Sequence, residues 1–190
     1  LAAPSGLTPP TPPAETPHTT TERALLSKFI PVDTPIELRH SSSEHVVHIP
    51  LADRWDIQKA KIHLAYTNSI SLLKERSQLR ILMNGHLLAQ FPLRSDQPKA
   101  TADIILPTAV LNAGYNRLTF EVAQHYTLEC EDPTAAELWT RIDPIASYLD
   151  LDVLWRRVVP SLARLDTYID KKLWEPYAAT LATLGTPTTV

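Results

Sequence analysis

The stretch "LRILMNGHLLAQFPL", residues 79–93, decides the fold class of this 190-residue chain. Leu79, Ile81 and Met83 alternate with other residues, which places them on one face of a β-strand. The Asn84–Gly85 pair that follows is typical of a two-residue hairpin turn, because both residues tolerate the positive φ angles that such a turn requires. The sequence therefore predicts an antiparallel hairpin with one buried face.

The same period of two recurs along the chain, with apolar residues at every second position. It is found in "KIHLAYT" (61–67), "ATADIILP" (100–107), "RLTFEVAQHYTLE" (117–129) and "SYLDLDVLW" (147–155), with a turn at "NAGYN" (112–116). At least six short strands with little helix predict an all-β protein, an antiparallel β-sandwich of jelly-roll or immunoglobulin type.

The two ends of the chain differ from the middle. Residues 1–21 are rich in Pro and Thr with almost nothing to bury, which predicts a disordered tail. The stretch "TERALLSKF" that follows is expected to form one or two helical turns, with Thr21 as the N-cap. Residues 22–155 are expected to form the sandwich. Residues 156–190 lose the alternation and are expected to be a connector.

Composition excludes several classes of function. The net charge is -3 and the lysines and arginines are scattered, so no surface suited to nucleic acid or anionic lipid is predicted. No apolar run is long enough to span a bilayer. The single cysteine, Cys130, excludes an intrachain disulfide framework and a multi-cysteine zinc site.

The stretch "HYTLECEDP", residues 125–133, concentrates groups capable of chemistry. If it continues the preceding strand, Glu129 and Glu131 share a face at about 6.5 to 7 Å, near a glycosidase spacing. Two acids on one strand face approach a sugar from one side only, whereas a glycoside hydrolase needs them on opposite sides. His125 and Cys130 fall on opposite faces, which disfavours a nucleophile pair.

Structural interpretations of these residues are favoured over chemical ones. We expect Cys130 to be a small buried apolar residue and His125 to be half-buried and hydrogen-bonded to a loop. Asp132 is expected to cap a turn near Pro133, after which Leu138 and Trp139 return to the core. A calcium site formed by Glu129, Glu131 and Asp132 remains an alternative, although the usual Asp/Asn/Gly loop is missing. The sequence predicts no catalytic residue, no metal site and no cofactor.

Taken together, these motifs resemble the bacterial cellulose synthase protein BcsB, in the region of its first carbohydrate-binding domain. The motif residues are His125, Tyr126, Cys130, Glu131, Asp132 and Pro133, followed by "LWTRI". The stretches "IELRHSSSEHVVHIPL", "AKIHLAYTNSISLL", "LNAGYNRLTFEVAQHYTLECEDP" and "SYLDLDV" occur in the family's order, and "LDTYIDKKLWEP" resembles its lead into a flavodoxin-like domain. The resemblance covers about residues 36–176.

The resemblance implies a jelly roll in a non-catalytic periplasmic subunit associated with the inner membrane. Such a subunit supports the cellulose synthase catalytic subunit and guides nascent β-1,4-glucan, and further copies of the same chain are a third kind of partner. Membrane contact is expected only through a C-terminal region of the family that lies beyond residue 190. Two departures stand out: Gln124 replaces a frequent Gly, and no nucleotide motif accompanies Arg156 and Arg157, so cyclic di-GMP sensing is assigned to the partner subunit.

Sugar contact by such a domain would use exposed aromatic rings, because the apolar face of a pyranose stacks on indole or phenol. Trp55 in a polar loop, Tyr115 in a turn and Trp139 are the candidates, whereas Tyr66 and Phe120 are expected in the core. The alternatives are a glycan hydrolase that uses Glu129 or Glu131, and a protein-interaction module that never contacts sugar.

Overall fold

The computed structural model of the chain describes residues 19–31, 34–52 and 55–155. These residues form ten strands and two short 3₁₀ helices, Leu26–Phe29 and Thr108–Val110. The strands are β1 (Thr19–Leu25), β2 (Ile36–Arg39), β3 (Ser42–Leu51), β4 (Trp55–Asn68), β5 (Gln78–Met83), β6 (His86–Pro92), β7 (Lys99–Leu106), β8 (Gly114–Ala123), β9 (Trp139–Ile142) and β10 (Tyr148–Trp155).

The strands form two antiparallel sheets. One has the order β3-β8-β5-β6, and the other joins β1, β10, β4, β9, β2 and β7. Residues 60–63 of β4 pair with β10 on one edge and with β7 on the other, and Tyr66 pairs with both β9 and β7. Because β9 and β10 therefore share one edge of β4, they lie end to end, and β1 and β2 do the same beside them.

Counting each end-to-end pair as one strand gives eight strands in two sheets of four. Numbered along the chain, the sheets then run 1-8-3-6 and 2-7-4-5, which is the strand order of a jelly roll. The predicted all-β antiparallel sandwich is thus confirmed, and the jelly roll is the correct one of the two types considered.

The core lies between the two sheets and is built from the inward residues of the alternating stretches. Phe120 is fully buried, and Tyr66 is 7% exposed, so both belong to the core as predicted. The side chains with no exposed surface include Leu64, Leu79, Ile81, Met83, Leu93, Ile142 and Val153. The period of two was therefore a correct guide to which face of each strand is buried.

The predicted hairpin is present and forms between β5 and β6. Asn84 and Gly85 have φ angles of 52° and 83°, as a type I′ turn requires. The side-chain amide of Asn84 donates to the carbonyl of Val110 at 2.7 Å and to Oδ1 of Asn116 at 2.8 Å. Its Oδ1 accepts from the N–H of Arg117 at 2.9 Å, so the turn is fixed to β8 and to the segment before it.

The predicted helical turns at "TERALLSKF" are wrong, because this stretch begins with β1. The strand starts at Thr19 and pairs with β10, and only Leu26–Phe29 forms a 3₁₀ turn. Thr21 is not a cap: its hydroxyl donates to Asp152 of β10 at 2.7 Å. Residues 1–18 of the expected tail and the expected connector 156–190 lie outside the described residues.

Candidate functional site

The stretch "HYTLECEDP" is a loop, not the end of a strand, which corrects the prediction from alternation. β8 ends at Ala123, one residue before the fully buried Gln124. The amide of Gln124 donates to the carbonyls of His40 and Leu38, at 2.8 and 3.3 Å, and accepts from the hydroxyl of Thr140 at 2.7 Å. A polar side chain at an inward position thus ends the strand by bonding to its neighbours.

Within the loop, Glu131 binds two groups at its start. One carboxylate oxygen lies 2.7 Å from Nδ1 of His125, and the other accepts from the N–H of Tyr126 at 2.7 Å. The Tyr126 hydroxyl in turn accepts from the N–H of Asp132 at 3.3 Å. The half-buried His125, hydrogen-bonded to a loop, is as predicted.

These contacts set the charge of Glu131. Burial by itself raises the pKa of this carboxyl, but the hydrogen bonds from Tyr126 and His125 outweigh it, and the resulting pKa lies below the ordinary value for glutamate. A general acid in glycoside hydrolysis needs a raised pKa. Glu129 is exposed in the loop, so the two acids do not share a strand face.

Cys130 is exposed, which overturns the prediction that it is a buried apolar residue. That prediction depended on a continued strand, and the loop instead turns the thiol outward. Asp132 does cap a turn, because its Oδ1 accepts from both the N–H and the hydroxyl of Thr134, at 2.8 and 2.7 Å. Leu138 returns to the core with 1% exposure, and Pro133 lies exposed in the turn.

The geometry of the loop does not favour the alternative of a calcium site. Both oxygens of Glu131 are occupied within the loop, and Oδ1 of Asp132 is used by Thr134. Within residues 19–31, 34–52 and 55–155, no group of three or more His, Cys, Asp or Glu side chains is arranged to hold a metal ion.

The loop also fixes the segment between β4 and β5. The carbonyl of His125 accepts from the N–H of Leu73 at 2.7 Å and from the hydroxyl of Ser77 at 3.1 Å. Ser77 accepts in return from the N–H of His125 at 3.0 Å. The motif therefore has a structural role: it holds two adjacent loops at one end of the sandwich.

The three candidate aromatic residues occupy different surfaces. Trp55 is the first residue of β4, half-buried and packed against the core, so its assignment to an exposed loop is wrong. Tyr115 is 49% exposed as expected, but it lies on β8 opposite Pro50 and not within a turn. Trp139 opens β9 and is half-buried.

A fourth aromatic residue, Tyr148, lies on the outer face of the sheet that contains β10. Its ring stacks on His63 with the ring centres 4.7 Å apart, and Cζ of Arg23 lies 4.0 Å from its centre. Arg23 lies on β1 and His63 on β4, the strands on either side of β10, so the two groups cover opposite faces of the ring. Tyr148 therefore offers no free face to a sugar.

Trp139 lines a groove that we call the Trp139 groove. It is a shallow depression of about 510 Å³, open to solvent and mostly apolar. Its lining includes Asn68, Ser69, Ile70, Pro98, Glu137 and Trp139. These residues come from the end of β4, the start of β9 and the loops before β5, β7 and β9.

Backbone hydrogen bonds hold the three loops together. The N–H of Ser69 donates to the carbonyl of Trp139 at 3.1 Å, and the N–H of Asn68 donates to that of Pro98 at 2.8 Å. Arg141 covers the indole of Trp139 with its Cζ 4.8 Å from the ring centre, and it binds Glu37 at 2.8 Å. Hydrogen bonds from Arg39 and Arg141 lower the pKa of Glu37 and keep it charged.

Asn68 contributes a buried hydrogen-bond acceptor to the groove lining. The residue is 1% exposed, and its amide nitrogen donates to the carbonyls of Ser69 and Arg94, each at 3.0 Å. Its Oδ1 is buried and accepts no hydrogen bond from the described residues. A buried acceptor without a donor is costly, and polar ligands or water commonly satisfy such atoms.

Sequence reasoning missed Asn68, Ile70 and Glu137. A signal was present in "YTNSIS", where an amide ends a strand and an apolar residue follows among serines. What the sequence could not show is that the loops before β5, β7 and β9 meet.

Solved structures with a related outline are distant. A family 35 carbohydrate binding module from an environmental isolate aligns with a TM-score of 0.37 and 13% identity, over 78% of this chain and 94% of that one. The latent PorU of Porphyromonas gingivalis gives 0.43 and 13%, over 73% and 13%. These likenesses carry no functional argument.

Curated relatives are more similar in sequence. A cyclic di-GMP-binding protein of Xanthomonas axonopodis pv. citri is 30% identical over 131 residues, 66% of this chain and 16% of the relative. The protein of the same name from Escherichia coli strain K12 is 33% identical over 96 residues, 50% of this chain and 12% of the relative. This chain thus spans only a small part of these relatives.

The family match is broader than either of these alignments. The profile described as "Cellulose synthase BcsB, first CBM domain" matches residues 20–154, which extend from β1 to β10. Because this match covers most of the chain and nearly all of the described fold, the chain belongs to the family of first carbohydrate-binding domains of cellulose synthase BcsB.

Proposed function

We propose that this chain is the first domain of a non-catalytic, periplasmic subunit of bacterial cellulose synthase, associated with the inner membrane. In this role it supports the catalytic subunit and guides nascent β-1,4-glucan outward. The observation that carries the proposal is the family match over residues 20–154, on a chain whose strands have the jelly-roll order. Self-association with further copies is compatible with this role.

The state of Glu131 supports a role without catalysis. Its carboxylate is bound at both oxygens and its pKa is lowered, so it is a poor proton donor at neutral pH. Glu129 is exposed on the same loop, whereas the carboxylate of Glu131 is held inside the loop by His125 and Tyr126.

A guiding role also predicts weak binding. A site that holds each sugar tightly would oppose the movement of the polymer, so a few contacts with fast release suit the task. We expect a Kd of about 1 mM or weaker for short oligosaccharides, on the order of -4 kcal/mol. Trp139, which lines a groove open to solvent, is the candidate contact.

Nucleotide binding is assigned elsewhere. The curated relatives are named cyclic di-GMP-binding proteins, and the adjacent arginines of this chain, Arg156 and Arg157, lie outside the described residues. We assign any cyclic di-GMP sensing to the partner catalytic subunit.

The test is reconstitution of the catalytic subunit in vesicles with the parent subunit, intact or lacking residues 19–155. We expect the shortened subunit to reduce the fraction of glucan that reaches the far side of the bilayer. Unchanged delivery by the shortened subunit would overturn the guiding role. Release of reducing ends from soluble β-glucan by this chain, lost on Glu131→Gln, would instead establish the hydrolase.

A further inference from the structure

We propose that the Trp139 groove, which is lined by Asn68, Ile70 and Trp139, is a contact site for one sugar unit of an extended β-1,4-glucan. This inference rests on the proposed function and assigns the site at which the guided polymer touches the domain.

The apolar part of the groove matches one face of the sugar. Each pyranose has a face of C–H groups, which stacks on flat apolar surfaces. Ile70 lines the groove and is 73% exposed, so its side chain is accessible to a sugar that enters. Arg141 covers one face of the Trp139 indole, so a sugar that enters the groove meets the remaining face or edge of the ring.

The polar part of the groove matches the hydroxyls. Oδ1 of Asn68 is a buried acceptor with no donor among the described residues, and Asn68 belongs to the groove lining. Because Asn68 is only 1% exposed, one water molecule held between this oxygen and a sugar hydroxyl is the donor that would complete it. The exposed Glu137 is a further partner for equatorial hydroxyl groups.

The shape of the groove favours a polymer over a small free ligand. The depression is shallow and open, so a unit in the middle of a long chain can lie in it without a chain end. Its walls are fixed by backbone hydrogen bonds between loops, and little order must be gained on binding. A weak, preformed, open contact is what a moving chain requires.

The experiment is a titration of the 190-residue chain with cellohexaose, followed by the amide and indole N–H signals in NMR spectra. Maltohexaose is the matched ligand, because its α-1,4 links give a curved chain of the same sugar. We expect cellohexaose, and not maltohexaose, to shift the signals of residues 68–71 and 136–139 and the indole of Trp139.

Variants locate the site. Trp139→Ala is expected to weaken binding about ten-fold, equivalent to about 1.4 kcal/mol. Ile70→Ala is expected to weaken it about three-fold by loss of apolar contact, and it keeps the test valid if Trp139→Ala disturbs the fold. Tyr115→Ala is the matched control, since it removes an exposed ring from the opposite sheet, and it should bind as the unchanged chain does.

Two results would overturn the groove assignment. One is a set of shifts confined to the surroundings of Trp55 or Tyr115, and the other is the absence of any shift with cellohexaose. Neither result changes the expected outcome of the vesicle test, because a domain can be needed for glucan delivery without this groove. Failure of the groove and failure of the proposed function are therefore read from different measurements.

Discussion

His125 and Glu131 form a hydrogen bond of 2.7 Å across six residues of one loop, and the second oxygen of Glu131 holds the backbone of Tyr126 at the same distance. The Glu131 side chain is only 14% exposed, so this carboxylate lies within the loop and links its end to its start. The nearby Glu129 is exposed to solvent on the same loop.

Replacing Glu131 by Gln should therefore lower the free energy of unfolding by about 1–3 kcal/mol, because charge-assisted hydrogen bonds to Tyr126 and His125 are lost. Glu129→Gln is the matched control and should change it by less than about 0.5 kcal/mol. Urea unfolding measures both. Equal effects of the two substitutions would show that the loop does not depend on Glu131.

The acid dependence of stability should report the same carboxylate. Because the folded pKa of Glu131 lies below its unfolded value, its contribution is present above the unfolded pKa and is lost as the pH falls through the folded pKa. The unchanged chain should lose more stability than Glu131→Gln between about pH 5 and the folded pKa. Parallel curves for both proteins across this window would contradict this linkage.

Cys130 should react with a water-soluble maleimide in the native protein at nearly the rate found in denaturant, because the thiol is exposed. Cys130→Ser should change the free energy of unfolding by less than about 0.5 kcal/mol. The rate of thiol labelling followed by mass spectrometry measures the first. Labelling that requires unfolding would show that the thiol is buried after all.

Gln124→Met should be costly although the two side chains have similar volume. The substitution leaves the carbonyls of His40 and Leu38 and the hydroxyl of Thr140 without this partner, and we expect a loss of about 2–4 kcal/mol in the free energy of unfolding. Adding Thr140→Val should recover part of this loss, because one of the three orphaned groups disappears. Strict additivity of the two substitutions would contradict the bond between them.

Substitutions in the hairpin turn can separate the effect of backbone conformation on stability from the effect of side-chain hydrogen bonds. Gly85→Ala should cost about 1–2 kcal/mol from its positive φ alone, because an added Cβ would meet no atom within 4 Å. Asn84→Ala should cost more, since it also removes three hydrogen bonds. His86→Ala, at the exposed start of β6, is the control. Thermal unfolding ranks the three, and a reversed order of Gly85 and Asn84 would contradict this account.

Alternation revealed the sandwich because burial between two sheets requires a period of two, and Leu118, Phe120 and Val122 obey it. The same rule failed one step later. Gln124 keeps the inward phase and is fully buried, but its amide bonds across the sandwich to Leu38 of β2 and Thr140 of β9, and β8 ends one residue before it. A polar residue at an inward position is the sequence signal that the strand ends there. The prediction that Cys130 is buried failed because it assumed that the strand continues past Gln124.

The strand β1 and the Trp139 groove could not be read locally for a different reason. Arg23 and Thr21 are strand residues because they face Asp150 and Asp152 of β10, more than a hundred positions away. Likewise Asn68 and Trp139 come together only because β4 and β9 pair. Both features depend on contacts between distant segments, and residue patterns within one segment do not reveal such contacts.

The pairing of Thr19 with Leu154 places both ends of the described fold side by side on neighbouring strands. Tension applied between these ends loads the rungs of the β1–β10 ladder one after another, from Thr19 towards Leu25, instead of all at once in shear. The first strand should therefore peel away at low force while the rest of the sandwich stays intact. The domain would then yield at its margin before its core is strained.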